Sequence, residues 1–231
     1  MSYTVVLIPA FNEAASIQSV LKNIPDWVEE VIVINNASTD ATPTIAKTQG
    51  ATVLFEPRKG YGFACLKGMT YLANKNPLPE YVVFLDADFS DDPSLMPKLL
   101  EPIVKGQVDF VVGARVPELQ EQGAMTFPQR FGNNLATMLM RLFFKSKFTD
   151  LGPFRAIKYK TLTALCMEDK TYGWTVEMQL KILKKRIPYT EIPVPYKQRL
   201  GGQSKVSGTL KGAIFAGIKI LGWIFKYSLK K

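Results

Sequence analysis

The chain has 231 residues, 47% of them hydrophobic, which is enough for one domain with a substantial core. It contains no histidine, and this excludes Ser-His-Asp catalysis, histidine-ligated zinc and an imidazole base. The two cysteines, Cys65 and Cys166, lie far apart and form no CxxC pair, so we predict free thiols in a reducing compartment.

Positive charge is concentrated towards the carboxyl terminus. The formal net charge is +9, but residues 181–231 hold twelve lysines and arginines against a single acid, Glu191, so the first 180 residues are slightly acidic. A basic tail on a near-neutral body predicts an anionic surface as partner, either a membrane or a nucleic acid. No basic, cleavable leader precedes the first apolar run, so we expect an unprocessed cytoplasmic chain.

Predicted strands and helices alternate through the first half of the chain. Short β-branched and aromatic runs predict strands at residues 3–9, 31–34, 51–55, 81–85 and 109–112. The segments between them predict helices at residues 14–24, from about 42, after a glycine-bearing loop at 59–62 up to about 74, and at 93–104. Repeated β-α units with right-handed crossovers predict an α/β fold with a mostly parallel sheet flanked by helices.

The pattern changes after Arg115. Helices are predicted at residues 131–145, 158–167 and 175–185, with a loop at 150–155 and a proline-interrupted edge strand at 187–194. A glycine-, serine- and lysine-rich stretch at 197–208 predicts an exposed loop. We therefore predict one domain at residues 1–208, followed by a basic amphipathic helix at 209–231.

That last helix, predicted at Leu210–Leu229, is apolar almost all round. Its lysines form a stripe on a helical wheel, and its longest uncharged run of seven residues is too short to span a bilayer. Because aromatic residues accompany the lysines, we predict a helix that lies in the membrane interface. A helix that caps the core and a dimer interface are the alternatives.

Two carboxylates follow the fourth predicted strand, in Asp86-Ala87-Asp88. The carboxyl ends of parallel strands form the ligand-binding edge of an open α/β sheet. Two hard oxygen ligands there suit Mg²⁺ or Mn²⁺ that keeps positions open for diphosphate oxygens, although a helix N-cap is the simpler alternative. Unusual loops at residues 9–13, 35–40 and 60–64 follow the other strands, and we expect all four to converge on one cleft.

Four segments of this edge occur in the order and spacing of a known family: Ile8-Pro9-Ala10-Phe11-Asn12-Glu13, Ser38-Thr39-Asp40-Ala41-Thr42, Asp86-Ala87-Asp88 and Val112-Gly113-Ala114-Arg115. Together they resemble family 2 glycosyltransferases of the GT-A (nucleotide-diphospho-sugar transferase) fold. The second half is similar to the polyprenol- and dolichol-phosphate sugar synthases of that family, such as dolichyl-phosphate mannosyltransferases. That similarity is carried by Arg130-Phe131-Gly132-Asn133-Asn134, Asp150-Leu151-Gly152-Pro153-Phe154-Arg155, Trp174-Thr175-Val176-Glu177 and Arg199-Leu200-Gly201-Gly202-Gln203-Ser204-Lys205.

The resemblance implies an inverting, metal-dependent enzyme that moves a hexose from a nucleotide sugar, of UDP-glucose or GDP-mannose type, to a polyprenyl or dolichyl phosphate. The enzyme would be peripheral to the inner face of the cell membrane. Donor contacts are implied for Pro9, Phe11, Glu13, Ile34, Asn36, Asp86, Ala87, Asp88, Arg199 and Lys205. Catalytic roles are implied for Asp86, Asp88 and Glu177, metal binding for Asp86 and Asp88, and acceptor-phosphate binding for Arg115, Arg130, Asn134 and Arg155.

Two departures from the family pattern affect the donor. Asn35-Asn36 stands where aspartates are usual, which leaves the base open between UDP and GDP. Ser90 stands where glutamine is common in mannosyl members, and this favours UDP-glucose or a similar hexose. For Glu177 we favour the orientation of a cation, and a role as base only if the acceptor is a hydroxyl.

Three other functions are weighed against this one. The nearest is a family 2 enzyme that acts on a glycan hydroxyl, with Glu177 or Asp150 as base. A nucleotidylyltransferase is disfavoured because the first strand ends on Pro9-Ala10 and not on a glycine-rich phosphate loop. Nucleic-acid binding is disfavoured because the basic residues are split between a loop and an apolar helix. The oligomeric state is left open.

Overall fold

The computed structural model of the chain describes residues 3–201 and 210–229. Within them a central sheet has seven strands: β1 Thr4–Ala10, β2 Glu30–Asn35, β3 Thr52–Phe55, β4 Tyr81–Phe84, β5 Phe110–Gln120, β6 Arg155–Lys158 and β7 Tyr189–Tyr196. Their order is β3-β2-β1-β4-β6-β5-β7. All neighbouring strands are parallel except β6, which is antiparallel to both β4 and β5. The α/β class and the mostly parallel sheet are confirmed.

Helices cover both faces of this sheet: α1 Ile17–Lys22, α2 Thr42–Thr48, α3 Tyr61–Leu72, α4 Met96–Val104, α5 Phe127–Phe144, α6 Tyr159–Ala164, α7 Trp174–Lys184 and α8 Leu210–Leu229. Successive side chains of β1 point to opposite faces. Val5 and Leu7 pack in a core with α3, α5, α7 and α8, whereas Val6 and Ile8 pack in a second core with α1, α2 and α4. The strands are apolar on both faces because both faces are covered.

The largest correction to the predicted elements is β6. Residues 150–155 were expected to form a loop and 158–167 a helix, but Arg155–Lys158 pairs between β4 and β5. The strand has only four residues with a charge at each end, so it carries no apolar run. A smaller correction is β5, which continues well beyond residue 112 because it pairs with β7 through Arg115 and again at Gln120.

Several helices begin or end at residues other than those predicted from the sequence. α5 starts at Phe127, before the expected residue 131, because Thr126 and Gln129 form a capping box at its amino end. α1 is shorter than the predicted 14–24, and α6 is shorter than 158–167. Both cysteines are free, as predicted: Cys65 is buried and Cys166 exposed.

The bounds predicted for α8 are confirmed. Its lysines, however, do not all point away from the protein as a membrane-facing stripe would require. It packs on α5 and α7 through Ala216, Trp223 and Ile224, which are buried. Two of its lysines point towards the loop before α7, where Lys219 pairs with Asp169 and Lys226 pairs with Glu168. The side chains of Lys211 and Lys230, also in the predicted stripe, lie outside the described part of the chain. The face turned to solvent is therefore largely apolar.

Candidate active site

Strained backbone marks the loops at the carboxyl edge of the sheet. Asn12, Ala37 and Phe89 follow β1, β2 and β4, and their φ angles of 55°, 59° and 62° lie in the left-handed region that side chains avoid. Such strain persists only where the surrounding structure enforces it, and it concentrates at functional sites. These loops also bond to one another: the Asn12 amide donates to Ser38 Oγ, and the Thr39 amide donates to Asn12 Oδ1.

The paired carboxylates Asp86 and Asp88 lie at this edge. Asp86 Oδ1 is buried without a hydrogen-bond partner among the described residues, and Tyr61 lines the same cavity beside this side chain. Burial raises the pKa of Asp86 to about 7, and the neighbouring Asp88 charge acts in the same direction. Asp88 Oδ1 accepts the Ser90 amide at 3.0 Å, so the carboxylate also fixes its own turn. Two carboxylates are thus presented at one edge, and one of them also stabilises the local turn.

Glu13 and Arg199, predicted donor ligands, meet beside the aspartates. Arg199 Nη2 lies 2.7 and 2.9 Å from the two Glu13 carboxylate oxygens, although the residues are 186 positions apart. Burial raises the pKa of Glu13, and the hydrogen bond and charge of Arg199 only partly offset it. The Leu200 amide donates to the Asp88 carbonyl, and this bond holds the segment around Arg199 against the carboxyl edge of the sheet. Lys205, also predicted to bind the donor, lies outside the described residues.

Asn36 is brought to the same edge, but its side chain is already engaged. Its amide nitrogen donates to the carbonyls of Glu56 and Arg58, and its Oδ1 accepts the Gly60 amide at 2.8 Å. Asn36 therefore holds the loop between β3 and α3 in place. Any influence on the donor base passes through the shape of that loop.

The other predicted donor residues are divided between the edge and the core. Phe11 is half-buried under the Lys59 ammonium, 5.0 Å from its ring centroid. The Ala87 carbonyl accepts the Ser16 hydroxyl at 2.7 Å, which ties the aspartate loop to the start of α1. Pro9 and Ile34 are paired, buried strand residues, and Ile34 packs towards α3. Both residues therefore belong to the buried part of the sheet that carries the edge loops.

A cavity of about 510 Å³ opens between this edge and helices α5 and α8. Its charged lining lies at the edge, in Asp86, Asp88 and Arg115, with the Tyr61 phenol beside them. Its apolar lining comes chiefly from the helices and the loop before α7, and includes Phe131, Leu135, Trp174, Ile214, Ile220 and Leu221. The cavity therefore joins the aspartate pair to an apolar wall.

Arg115 is the single cation among the described residues that line this cavity. Its guanidinium forks onto Asp150, with Nε 2.8 Å from Oδ2 and Nη2 2.7 Å from Oδ1. Burial alone would lower the pKa of Arg115, but the charge and hydrogen bonds of Asp150 outweigh it and the pKa is raised. The pair thus holds a permanent positive group in a fixed orientation beside the aspartates.

Three predicted acceptor-phosphate residues do not face the cavity. Arg155 is fully buried in β6, where its guanidinium donates to the carbonyls of Leu151, Gly152 and Thr175. Burial lowers its pKa to about 10. Arg130 and Asn134 are exposed on the outer side of α5, and the adjacent Asn133 lines the cavity instead. Of the four predicted acceptor-phosphate residues, Arg115 is thus the one whose side chain lines the cavity.

Glu177, predicted to be catalytic, is fully buried on α7 and does not line the cavity. Its carboxylate accepts the backbone amides of Glu168 and Asp169 at 2.9 and 2.8 Å, and it pairs with Lys181 at 2.7 Å. It does orient a cation, but that cation lies in the core. The geometry gives Glu177 the role of holding the loop before α7.

Sequence reasoning missed several cavity residues: Tyr61, Asn133, Tyr172 and Tyr196. Tyr61 had a signal, because it stands between Gly60 and Gly62. An added Cβ on either glycine would lie within 2.3 Å of the carbonyl of Lys170 or Asp169, so both glycines permit close chain packing. That packing places Tyr61 beside Asp86.

The parallel sheet, with a carboxylate pair at its carboxyl edge, defines a glycosyltransferase of GT-A architecture. The chain belongs to glycosyl transferase family 2, whose model matches residues 5–165. It is 35% identical over 213 residues to an uncharacterized glycosyltransferase of Mycobacterium tuberculosis, covering 91% of this chain and 93% of that one. It is 28% identical over 229 residues to an undecaprenyl-phosphate mannosyltransferase of Micrococcus luteus, covering 94% and 92%.

Solved structures confirm the fold. A glucosyl-3-phosphoglycerate synthase from Mycobacterium tuberculosis, in complex with Mn²⁺, UDP and phosphoglyceric acid, superposes with a TM-score of 0.79 at 21% identity. The match covers 99% of this chain and 79% of that one. The predicted GT-A fold and family are thus both correct.

Proposed function

We propose that the chain transfers a hexose from a nucleotide-diphosphate sugar to a polyprenyl phosphate, with inversion at the anomeric carbon. The observation that carries this proposal is the cavity that joins Asp86 and Asp88 to the apolar walls of α5 and α8. A lipid phosphate needs a charged site for its head and an apolar channel for its first carbon units. The undecaprenyl-phosphate mannosyltransferase among the relatives supports the same acceptor class.

Asp86 and Asp88 fit a divalent cation, Mg²⁺ or Mn²⁺. The fit rests on the orphaned, buried Oδ1 of Asp86 and on a ligand set of hard oxygens. Two carboxylates would leave most coordination positions of such a cation to diphosphate oxygens and water. A cation held there would neutralise charge on the leaving nucleoside diphosphate. The Mn²⁺ and UDP in the related synthase structure support this assignment.

The proposed reaction does not need a general base to deprotonate the acceptor. An oxygen of the acceptor phosphate attacks the anomeric carbon, while the bond from that carbon to the diphosphate oxygen breaks. Because the phosphate is already an anion, positioning and positive charge matter more than a general base. Arg115 lines the cavity and shares its charge with Asp150, so its role in this proposal is to orient the acceptor phosphate by hydrogen bonds from a fixed guanidinium, while the cation supplies most of the positive charge.

A glycan hydroxyl acceptor would instead need a base. The two acids considered for that role are both engaged, since Asp150 is forked by Arg115 and Glu177 is buried against Lys181. Their positions favour the phosphate acceptor.

The test is a donor and acceptor screen with Mn²⁺ or Mg²⁺, using UDP- and GDP-sugars. A short polyprenyl phosphate in detergent, 3-phosphoglycerate and an oligosaccharide serve as the acceptors. We expect label to enter the organic phase with one donor and only in the presence of metal. Transfer to 3-phosphoglycerate or to the oligosaccharide, with none to the lipid, would overturn the acceptor assignment.

Donor binding depends in this proposal on the Glu13–Arg199 pair. Replacing Arg199 with methionine leaves a half-buried carboxylate unpaired near Asp88, and a lost charged hydrogen bond costs about 1.5–3 kcal/mol. We expect the donor KM to rise by about 10-fold or more. Lys98→Met, which removes an exposed cation on α4, is the control for net charge. Equal KM values for the two variants would remove Arg199 from the donor site.

The exposed faces of α5 and α8 suit an anionic membrane surface, which would place catalysis at its cytoplasmic side. Neither helix carries an acidic residue. Their outward side chains include Phe127, Phe131, Met138, Leu142, Phe143, Ile214, Phe215, Ile218, Phe225 and Leu229. The Phe143 and Phe225 rings lie 5.9 Å apart and make the two faces continuous. No helix in the described part of the chain is long and apolar enough to cross a membrane.

Loss of exposed apolar side chains from α8 should weaken membrane binding. Phe215 and Ile218 are 62% and 63% exposed and do not line the cavity. We expect the double change Phe215→Ser, Ile218→Ser to lower partitioning onto phosphatidylglycerol vesicles by about 10-fold or more. Vesicle co-sedimentation measures it.

The matched control is Leu78→Ser, Val104→Ser. These side chains are 52% and 58% exposed but lie near the opposite, amino-terminal edge of the sheet. Equal partitioning of the two double variants would contradict membrane binding by α8 and favour the alternatives, a core-capping helix or a dimer interface.

A further inference from the structure

One buried carboxylate fastens α8 to the body of the protein. Asp169 lies in the loop before α7, and its Oδ2 accepts the Trp223 indole N–H at 2.6 Å and pairs with Lys219 at 3.2 Å. Its Oδ1 accepts the amides of Thr171 and Gly173 at 2.7 and 3.0 Å. The side chain is fully buried, so its hydrogen bonds all act away from water.

The same loop is packed directly on the first turn of α3. The amides of Gly62 and Phe63 donate to the carbonyls of Thr171 and Lys170 at 3.2 and 3.0 Å. An added Cβ on Gly62 would lie 2.0 Å from the Asp169 carbonyl oxygen. A shift of the Asp169 backbone therefore moves the start of α3, because this contact has no spare room.

The two ends of this chain of contacts are both functional. At one end, Ile214, Gly217 and Ile220 of α8 line the cavity. At the other, Tyr61 on the first turn of α3 lines the same cavity as Asp86, and its buried phenol interacts with the Asp86 carboxylate. A rigid path of short contacts thus runs from a wall of the acceptor cavity to a predicted metal ligand.

We propose that Asp169 is a positioning residue that couples the seating of α8 to the setting of Asp86, so that the acceptor wall and the metal site are ordered together. This inference rests on the proposed function, because it gives the two ends their roles. Coupling between sites is reciprocal. Metal and nucleotide bound at Asp86 therefore tighten α8, and a correctly seated α8 strengthens their binding.

The most selective variant is Asp169→Asn. The asparagine oxygen can still accept the Thr171 and Gly173 amides, but its NH₂ group then faces two donors, the Trp223 indole and the Lys219 ammonium. Trp223→Phe is a gentler second variant that keeps an aromatic ring and removes the indole N–H.

The matched control is Glu168→Gln. Glu168 is the adjacent residue and also faces α8, where its carboxylate lies 3.8 Å from Lys226 Nζ. Its side chain is 63% exposed, so the pair is screened by water and contributes little. The control removes the same charge from the same loop without touching the buried carboxylate.

Two measurements test the coupling without using activity. Manganese binding in the presence of UDP is followed by the EPR signal of free Mn²⁺. We expect Asp169→Asn and Trp223→Phe to weaken it by about 10-fold, and Glu168→Gln by less than about 2-fold. In hydrogen exchange, the Gly62 and Phe63 amides should exchange faster in the first two variants. Mn²⁺ with UDP should slow exchange along α8 in the wild-type chain and in Glu168→Gln.

Wild-type manganese affinity in Asp169→Asn and Trp223→Phe would overturn the coupling, and so would an equal loss in Glu168→Gln. A wild-type chain that binds no Mn²⁺ overturns both the metal site and the coupling. A wild-type chain that binds Mn²⁺ and UDP but transfers no sugar to lipid contradicts only the acceptor assignment. The affinity ratio of the variants then still decides the coupling.

Discussion

Alanine at position 88 is expected to abolish sugar transfer while leaving the chain folded. Asp88 supplies one of two carboxylates at the carboxyl edge of the sheet, and Asp86 alone cannot hold the cation against water. Without the cation the leaving diphosphate is not neutralised, so we expect turnover to fall on the order of 10³-fold or more. The structural cost is small, because within residues 3–201 and 210–229 the Asp88 carboxylate accepts a hydrogen bond from the Ser90 amide alone, a bond that contributes about 1 kcal/mol.

The control for this variant is Asp92→Ser. Asp92 lies four residues further on and caps the short 3-10 helix Pro93–Leu95 through the Ser94 amide. Serine keeps that cap and removes one carboxylate from the same loop. Turnover of Asp88→Ala is compared with turnover of Asp92→Ser at saturating Mn²⁺, and thermal unfolding checks the fold of both. Retained turnover in Asp88→Ala would refute the metal assignment.

A phenylalanine at position 217 is expected to block the lipid acceptor and to spare the donor. Gly217 lines the cavity from α8, and an added Cβ there meets no atom within 4 Å. The new ring therefore enters the cavity without displacing the helix, and loss of a helical glycine favours folding slightly. We expect transfer to polyprenyl phosphate to fall by on the order of 10²-fold, with Mn²⁺ and UDP binding unchanged.

Gly222→Phe is the matched control for this change. Gly222 lies on the same helix, also has open space around an added Cβ, and is exposed outside the cavity. It should transfer sugar at the wild-type rate in detergent. Equal rates for the two variants would mean that the lipid does not use this cavity, and the acceptor would have to approach Asp86 from another side.

The strands with continuous apolar runs were predictable, because a sheet covered on both faces demands them. β6 was not, since its four residues carry charges at both ends and its place depends on pairing with two distant strands. The buried charge of Arg155 has the same origin. Its partners are backbone carbonyls of residues 151, 152 and 175. Every residue has a backbone carbonyl, so the sequence does not indicate which carbonyls will accept these bonds.

The candidate site divides in a similar way. The position of Asp86 and Asp88 at the carboxyl edge was predictable because they directly follow a buried apolar strand. The Arg115 and Asp150 pair was not, because the fork forms across 35 positions and depends on how β5 meets the loop before β6. The basic stripe of α8 misled in one respect: a helical wheel groups the lysines but does not say which neighbour they face. Lys219 and Lys226 turn towards carboxylates that only the folded chain presents.

The cavity draws its two ends from different stretches of the chain, and this has a consequence for how the family diversifies. The aspartates belong to the part that the family model matches, residues 5–165, whereas α8 begins at Leu210. On the proposed function, sequence changes in α8 are expected to alter the choice of acceptor more than the choice of donor. Because Asp169 also ties α8 to the loop packed on α3, we expect an exchanged helix to support transfer only if it keeps the Trp223 and Lys219 contacts with Asp169.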